Sequence, residues 1–239
     1  MTEKHSTDVV QSFDRGDLVT AFARLQALVA KNRAREAHRA RTKAIGFNVF
    51  DFIRPSENTL SDILRFLLDP LGSHGQSNIF LQSLVATVRP HHAVSTLDAT
   101  VVREAPTYTL ARTRRRIDIL ATVQNFCLGI ETKKFSGEGV RQIHDYCDHL
   151  QNISNGNFCL IFLNRTGSEA SSIAPALAID RQKKNQLAIW SWETSIPRWL
   201  EQCKASVVPQ KIKHFLDDFK EYIAHYLATR PEKEDDTQE

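Results

Sequence analysis

The sequence predicts an α/β protein in which a mixed central β-sheet is flanked by helices. Short apolar runs of strand length, such as "RIDILATV", "FCLGIET" and "FCLIFLN", alternate with longer segments whose apolar residues recur at helical spacing. The chain has 239 residues, of which 41% are hydrophobic and 25% charged, as in ordinary globular proteins. We therefore expect a real hydrophobic core, in one large domain or in one domain with an appendage.

Charge and cysteine content exclude several classes of protein. The net charge of +3, from 31 basic and 28 acidic residues, is too small to demonstrate a nucleic-acid partner. The four cysteines form no CxxC pair, so neither a zinc site nor a disulfide framework is predicted. The N-terminal "MTEKHSTDVV" lacks a signal-peptide apolar region, and no apolar run approaches the roughly 20 residues that span a membrane. We expect a cytoplasmic protein that does not enter a membrane.

Residues 1–50 are predicted to form a helical, partly basic extension. Over residues 8–43, Leu18, Phe22 and Leu25 recur at helical spacing, with a possible break at Gly16. The later part, "KNRAREAHRARTK", is strongly basic and includes Arg39. Its charges fit either a solvated helix surface or a face that follows nucleic-acid phosphates.

Two further helices precede the strands. In "PSENTLSDILRFLLDP", Pro55 and Ser56 mark the start of a helix and Pro70 marks its end, while its leucines and isoleucine form a wide apolar face. A glycine-flanked loop that contains His74 leads to a short apolar helix, "NIFLQSLVATV". His74 suits either capping of the loop or a phosphate contact.

The two strongest strand candidates are predicted to pair as an antiparallel hairpin. With Gln124-Asn125 as a two-residue loop, Val123 faces Phe126. The same register places Asp118 directly opposite Glu131.

Alternation of side chains would give this hairpin one apolar and one polar face. Asp118, Glu131 and Lys133 share the polar face, beside room left by Gly129, and Thr132 points to the other side. The apolar face is expected to consist of Ile117, Ile119, Ala121, Val123, Phe126, Leu128 and Ile130.

Like charges directly across a ladder are destabilising, so the two acids need an explanation. A divalent cation between them is one, because hard oxygen ligands on rigid strands suit Mg²⁺. A network with neighbouring arginines or Lys134, and simple exposure at the strand ends, are the others.

The remaining elements complete the sheet and its outer layer. "SGEGVRQIHDYCDHLQN" is predicted to be a helix that begins near Ser136 and has Val140, Ile143 and Tyr146 on one side. "FCLIFLN" reads as a buried strand and "QLAIWSW" as another strand. Helices "IPRWLEQC" and "IKHFLDDFKEYIAHYL" follow, and we expect residues 229–239 to form a charged, disordered tail.

Six segments in order resemble the PD-(D/E)XK nuclease superfamily, in particular a branch found in bacterial proteins. They are "ENTLSDILRFLLDP", "HGQSNIFLQSLV", "RIDIL", "IETKK", "QIHDY" and "IWSWETSIPRWL", and the resemblance as a whole runs from about Glu57 to Tyr222. The resemblance implies a restriction-endonuclease-like core of order αβββαβ, with extra N- and C-terminal helices, over residues 51–228. Ile117 stands where the superfamily's nominal proline would be, and that proline has no part in the chemistry.

The resemblance also implies the roles of the site residues. Asp118, Glu131 and Glu57 would hold Mg²⁺, for which Mn²⁺ can substitute, and Lys133 would orient or activate the attacking water. The pair Gln142 and Tyr146, one helical turn apart, would contact the substrate or support the lysine. From the residues alone, Glu57 equally suits the dipole of its helix, and Tyr146 equally suits the core.

The implied function is metal-dependent hydrolysis of phosphodiester bonds in nucleic acid, DNA above all, in phage defence or mobile-element biology. Candidate contacts to the nucleic-acid backbone are Arg114, Arg115, Arg116, Lys134 and Arg39. The alternatives are a catalytically silent module that binds nucleic acid or protein, and a subunit active only with a partner. A homo-oligomer or a partner protein is compatible with either.

Overall fold

The structure is a computed structural model that describes residues 15–44, 46–90, 95–107 and 115–227. Residues 8–14 of the predicted first helix and the predicted tail, 229–239, lie outside these ranges. No helix among the described residues is long and apolar enough to cross a membrane.

The chain divides into two compact units, with the boundary between Phe47 and Asn48. The described part of the first unit consists mainly of one long helix, α1 (Arg15–Lys43). Both its apolar stripe, Leu18 included, and the basic side chain of Arg39 are exposed. The helix predicted from residue spacing is therefore present over these residues.

The second unit contains the remaining elements. Ser56 caps α3, since its Oγ accepts a hydrogen bond from the backbone N–H of Thr59. One π-helical turn, Ile223–Leu227, extends the last helix. The helices are α2 (Phe50–Ile53), α3 (Glu57–Leu68), α4 (Ile79–Val88), α5 (Gln142–Ile153), α6 (Pro175–Lys183), α7 (Ser195–Lys204) and α8 (Gln210–Tyr222).

Five strands form one mixed sheet in sequence order. The first three pair antiparallel, whereas the last three pair parallel to one another. The strands are β1 (Thr100–Pro106), β2 (Arg116–Val123), β3 (Phe126–Thr132), β4 (Phe158–Asn164) and β5 (Leu187–Ser191). The order α3–α4–β1–β2–β3–α5–β4 reproduces the predicted αβββαβ core in a helix-flanked sheet, so the predicted fold class is confirmed.

Each face of the sheet carries its own hydrophobic core. Residues of β4 alternate between the two cores, which is why its whole run is apolar. The α3-side core includes Leu60, Leu64, Phe80, Ile119, Leu128, Ile161, Trp199 and Phe219. The α5-side core includes Ile117, Ile143, Tyr146, Leu150, Phe158 and Leu160.

The predicted hairpin register is confirmed between β2 and β3 from the loop as far as Ile119 and Ile130. The paired register ends there and does not include the predicted pair of Asp118 and Glu131. Val123 pairs with Phe126 and Ile119 pairs with Ile130. Gln124 adopts a φ of 49° in the two-residue loop, the left-handed backbone that such tight hairpins require.

The predicted apolar face of the hairpin is wrong at its open end. Ile117 packs in the α5-side core, while Ile119 packs in the α3-side core. Regular alternation is therefore interrupted at Asp118, where pairing with β1 also lapses opposite Glu104, whose φ is 48°. A local distortion of this kind re-aims a side chain at the edge of a site.

The sequence suggested that Gly129 leaves room beside the acids, but the structure shows no such space. A Cβ atom there would lie 2.9 Å from Leu150 Cδ1 and 3.1 Å from Leu160 Cδ1. The glycine therefore allows α5 to pack closely on the sheet, which brings the helix residues near the acids on β3.

The helix after β3 begins later than predicted. "SGEG" forms a loop, Arg141 has a φ of 56°, and α5 begins at Gln142. Val140 is consequently 84% exposed rather than on the packed side of the helix. Helix α6 was missed, because it buries little more than Ala178 and shows no clear apolar period.

Candidate active site

The carboxylate of Asp118 is held by Thr132, a residue predicted from the sequence to point to the other side of the hairpin. Its Oδ2 accepts hydrogen bonds from the Thr132 backbone N–H at 2.8 Å and the Thr132 Oγ1 hydroxyl at 2.7 Å. Thr132 is fully buried, and its Oγ1 also lies 2.7 Å from Ser61 Oγ on α3. Thr132 is therefore not an inert spacer but fixes the orientation of the Asp118 carboxylate.

The backbone around Asp118 has a second anchor, in Arg103 of β1. Arg103 Nη1 donates to the carbonyl oxygen of Asp118 at 2.7 Å, and its Nε pairs with Asp62 Oδ1 at 2.7 Å. Neither Arg103 nor Ser61 was foreseen, because only the packing of α3 against β1 and β3 brings them to the acid.

Glu131 is almost completely buried, with 1% of the residue exposed. Its Oε1 accepts from Lys133 Nζ at 2.9 Å and from Gln142 Nε2 at 2.6 Å. Its Oε2 is buried and has no hydrogen-bond partner among the described residues. Burial above all, together with the negative charges of Asp118 and Glu57, raises the pKa of Glu131 to about 7 against the opposing effect of Lys133.

Lys133 carries the cation of the site. Its backbone N–H donates to the Leu163 carbonyl at 2.7 Å, which fixes the chain beside β4. Burial lowers the pKa of Lys133, but the carboxylates of Glu131, Glu57 and Asp118 outweigh it, so the pKa lies above its ordinary value. The ammonium group is therefore a charged hydrogen-bond donor beside both acids.

Glu57 stands at the first position of α3 and binds the loop after β3. Its Oε2 accepts from the Lys134 backbone N–H at 2.7 Å, and Ser136 Oγ lies 2.7 and 2.9 Å from its two oxygens. Lys134 Nζ in turn donates to the Pro55 carbonyl at 3.0 Å. The Glu57 carboxylate thus joins α3 to the segment that follows Lys133.

Gln142 and Tyr146 form a chain of hydrogen bonds behind Glu131. Gln142 Nε2 donates to Glu131 Oε1 and lies 3.2 Å from Tyr146 Oη, which donates to the Arg116 carbonyl at 2.6 Å. Burial, together with the charge of Glu131, raises the pKa of Tyr146 to about 12. Tyr146 is 2% exposed, so it belongs to the core and reaches the acid through Gln142.

The candidate backbone-binding residues are not equivalent. Arg115 donates to the Val140 carbonyl at 2.6 Å and lies 3.5 Å from Asp145, so it braces the start of α5. Arg116 is open to solvent, with 66% of its side chain exposed, and pairs with Glu104 at 2.7 Å. Arg114 lies outside the described residues, and Arg39 belongs to α1 of the first unit.

His74 is buried and caps its loop. Its Nδ1 accepts from the Gln76 backbone N–H at 2.9 Å, so the proton sits on Nε2, which lies 3.0 Å from the Asp69 carbonyl. Phe66 and Phe80 pack edge-on against the ring at 5.3 Å. Of its two readings, loop capping is the one that the contacts support.

The donor set around Asp118 and Glu131 suits a divalent cation. Glu131 Oε2, buried and without a partner within the described ranges, and the neighbouring acids leave negative charge that a cation would neutralise. Within the described ranges, no three carboxylate, histidine or cysteine side chains cluster closely enough to hold a metal by themselves. Mg²⁺ keeps several waters and binds through one or two carboxylates, so two acids are compatible with it.

The mixed sheet with an Asp and a Glu-x-Lys at adjoining strand ends is the arrangement that the sequence predicted for a nuclease. A model of the PD-(D/E)XK nuclease superfamily matches residues 47–224. The chain therefore belongs to this superfamily, whose members are nucleases that generally use divalent metals. Searches of curated proteins and of solved structures found no match.

Proposed function

We propose that the protein is a Mg²⁺-dependent nuclease that hydrolyses phosphodiester bonds in DNA, with Mn²⁺ as a substitute. The observation that carries the proposal is the pair of acids beside Lys133, in which Glu131 Oε2 is buried and has no partner in the part of the chain that the structure describes. A pure binding site has no need for a buried, unsatisfied carboxylate, which costs stability.

Asp118 and Glu131 would hold the cation, with Glu57 close enough to add to the negative potential. When bound, the cation would act as a Lewis acid on the phosphate and lower the pKa of water. Thr132 fixes the Asp118 carboxylate and Gln142 fixes Glu131, so neither acid has to reorganise during the reaction.

Lys133 donates hydrogen bonds from a charged Nζ that lies 2.9 Å from Glu131 Oε1. We assign it two tasks: to orient the attacking water, and to stabilise negative charge that develops on the phosphate oxygens. Gln142 and Tyr146 support this arrangement from α5, and Arg116 and Lys134 are proposed to contact the backbone.

The proposed setting is cytoplasmic, in phage defence or mobile-element biology. That setting rests on the superfamily resemblance alone and is independent of the site chemistry. The competing functions are a silent binding module and a subunit that needs a partner, and the cleavage assay below separates both from the proposal.

The test is cleavage of linear, circular and single-stranded DNA and of RNA, with Mg²⁺, Mn²⁺ or EDTA. Glu131→Ala and Lys133→Ala are each expected to lower the cleavage rate by about 10²–10³-fold, as loss of a preorganised electrostatic group does. Lys184→Ala is the matched control, because it removes a lysine that pairs with an acid, Asp180 at 2.8 Å, on the surface.

Metal-dependent cleavage that survives both substitutions would refute the assignment of the site. Binding without cleavage on every substrate would favour the silent module. Cleavage that appears only after addition of a cell extract would identify a subunit that needs a partner.

A further inference from the structure

A cleft of about 460 Å³ opens directly beside Lys133. Its walls are the loop after β3, from Lys133 to Glu138, and the loop after β4, from Asn164 onward. Both loops leave the carboxyl ends of neighbouring parallel strands, where open α/β sheets bind their ligands. The volume falls within the range of sites for small molecules and single building blocks of polymers.

The cleft is braced from within the protein. Glu138 accepts four hydrogen bonds of 2.6–2.9 Å from the backbone and hydroxyl groups of Ser171 and Ser172, and these clamp the two loops together. Asn164 Oδ1 accepts from the backbone N–H groups of Gly167 and Ser168, which shapes the second loop. The two walls are therefore preformed rather than assembled by a ligand.

The lining combines positive charge with one aromatic ring. Lys133, Lys134 and Arg165 contribute three cations, against the carboxylates of Glu138 and Glu169. Four neutral donors of Ser171 and Ser172 fix the Glu138 carboxylate in place without cancelling its charge. The three cations of the lining still outnumber its two carboxylates, which favours an anion. Phe135 remains 41% exposed in this polar setting, with Lys134 Nζ 5.3 Å from its ring centroid.

An exposed ring among cations is the arrangement that binds single-stranded nucleic acid, because each base offers a π-face and each link a phosphate. In a duplex the bases are paired and stacked inside, so a ring in a recessed cleft reaches only a base that is unpaired or flipped out.

We infer that this cleft binds one unpaired nucleotide next to the scissile phosphate, with its base on Phe135 and its phosphate at Arg165. The inference rests on the proposed function and narrows its substrate to single strands, frayed ends or flipped nucleotides.

The test measures binding separately from cleavage. Fluorescence anisotropy in EDTA compares a labelled oligodeoxythymidine with a blunt duplex of the same length. Phe135→Leu is expected to weaken single-strand binding by about 5- to 100-fold, to leave duplex binding unchanged, and to be rescued by Phe135→Trp. Tyr226→Leu is the matched control, since Tyr226 is 37% exposed and does not line the cleft.

Arg165 has its own matched pair of variants. Arg165 Nη1 lies 3.6 Å from Glu193 Oε1, so Arg165→Gln and Glu193→Gln both remove this ion pair but only the first removes the cation. Arg165→Gln is expected to reduce the salt dependence of single-strand binding by about 0.7 in log–log slope, and Glu193→Gln to leave it unchanged.

Equal affinity of the native protein for single strand and duplex, or unaltered single-strand binding by Phe135→Leu, would overturn the inference. Cleavage of blunt duplex by Phe135→Leu at the native rate would overturn it while the nuclease function stands. Single-strand binding that depends on Phe135, without cleavage of any substrate, would support the cleft and refute the nuclease.

Discussion

The two acids of the site lie in different surroundings. Asp118 is held by Thr132, whose backbone N–H and hydroxyl both donate to one of its oxygens. Glu131 faces α5, where Lys133 and Gln142 both bond to one oxygen and leave the other without a partner among the described residues. The difference indicates that the Asp118 carboxylate is fixed in orientation by its partners, whereas Glu131 holds the charge that a ligand has to neutralise.

The largest effect is expected from Glu131→Gln, which keeps the shape of the side chain and removes its charge. Cleavage should fall by about 10²–10³-fold. In the metal-free protein, the stability of the variant relative to the native protein should rise by about 1–3 kcal/mol between pH 5 and pH 8. This relative gain arises because the pKa of Glu131 is raised to about 7, so its ionised form is disfavoured in the folded native protein.

The stability of Glu131→Gln relative to the native protein is expected to depend on pH. The favourable contribution of protonated Glu131 is complete below the ordinary pKa of 4.5 and is lost as the pH rises through about 7. Urea unfolding in EDTA should therefore show that the stability of Glu131→Gln, relative to the native protein, is higher at pH 8 than below about pH 5. A stability difference that is the same at both pH values would contradict the prediction, and Glu104→Gln serves as an exposed control.

Thr132→Val should have the next largest effect, because it removes the hydroxyl that orients Asp118 without changing the buried volume much. Loss of a group that orients a metal ligand typically costs about 10–100-fold in metal affinity or activity. Mn²⁺ titration and cleavage kinetics should both show the loss, and Thr132→Ser should restore most of it. Unchanged Mn²⁺ affinity in Thr132→Val would contradict this role and would show that Thr132 contributes only to the core.

Tyr146→Phe is expected to have a smaller effect, because it changes the hydrogen-bond chain behind Glu131 and not the acid itself. It leaves the Arg116 carbonyl without the hydroxyl that donates to it at 2.6 Å, which should cost about 1–3 kcal/mol of stability. Since Tyr146 reaches Glu131 through Gln142 rather than directly, cleavage should fall by less than about tenfold. A loss of cleavage as large as that of Glu131→Gln would instead make Tyr146 a residue that touches the substrate.

The smallest effect is expected from Arg116→Ala. Its ion pair with Glu104 is exposed, so the free energy of unfolding should change by no more than about 1 kcal/mol. If Arg116 contacts a phosphate, the salt dependence of DNA binding should decrease by about 0.7–0.9 in log–log slope. Glu104→Gln breaks the same pair and keeps the arginine, so a slope that changes equally in both variants would argue against the contact.

The hairpin register could be predicted for two reasons. A two-residue loop allows few pairings between the strands, and both strands carry a clear apolar pattern that selects one of them. The start of α3 could also be predicted, from a serine that caps the first turn. Both features depend on residues that are close in sequence.

The surroundings of the acids could not be predicted in the same way. Strict alternation predicted that Ile117 and Ile119 share a face and that Thr132 points away from Asp118. In the structure the alternation breaks at Asp118, opposite Glu104 of another strand. The contacts of Thr132 with Ser61, and of Gln142 with Glu131, join segments whose approach is set by helix packing. A sequence pattern identifies such residues only after the sheet and its helices are placed.

Calorimetric titration with Mn²⁺ tests the central claim most directly, namely that Asp118 and Glu131 form one cation site. The native protein is expected to bind Mn²⁺, and Glu131→Gln to bind it at least about tenfold more weakly. Both should retain the native circular dichroism spectrum. Equal Mn²⁺ affinity in the native protein and in Glu131→Gln would contradict the assignment of the metal to this pair of acids.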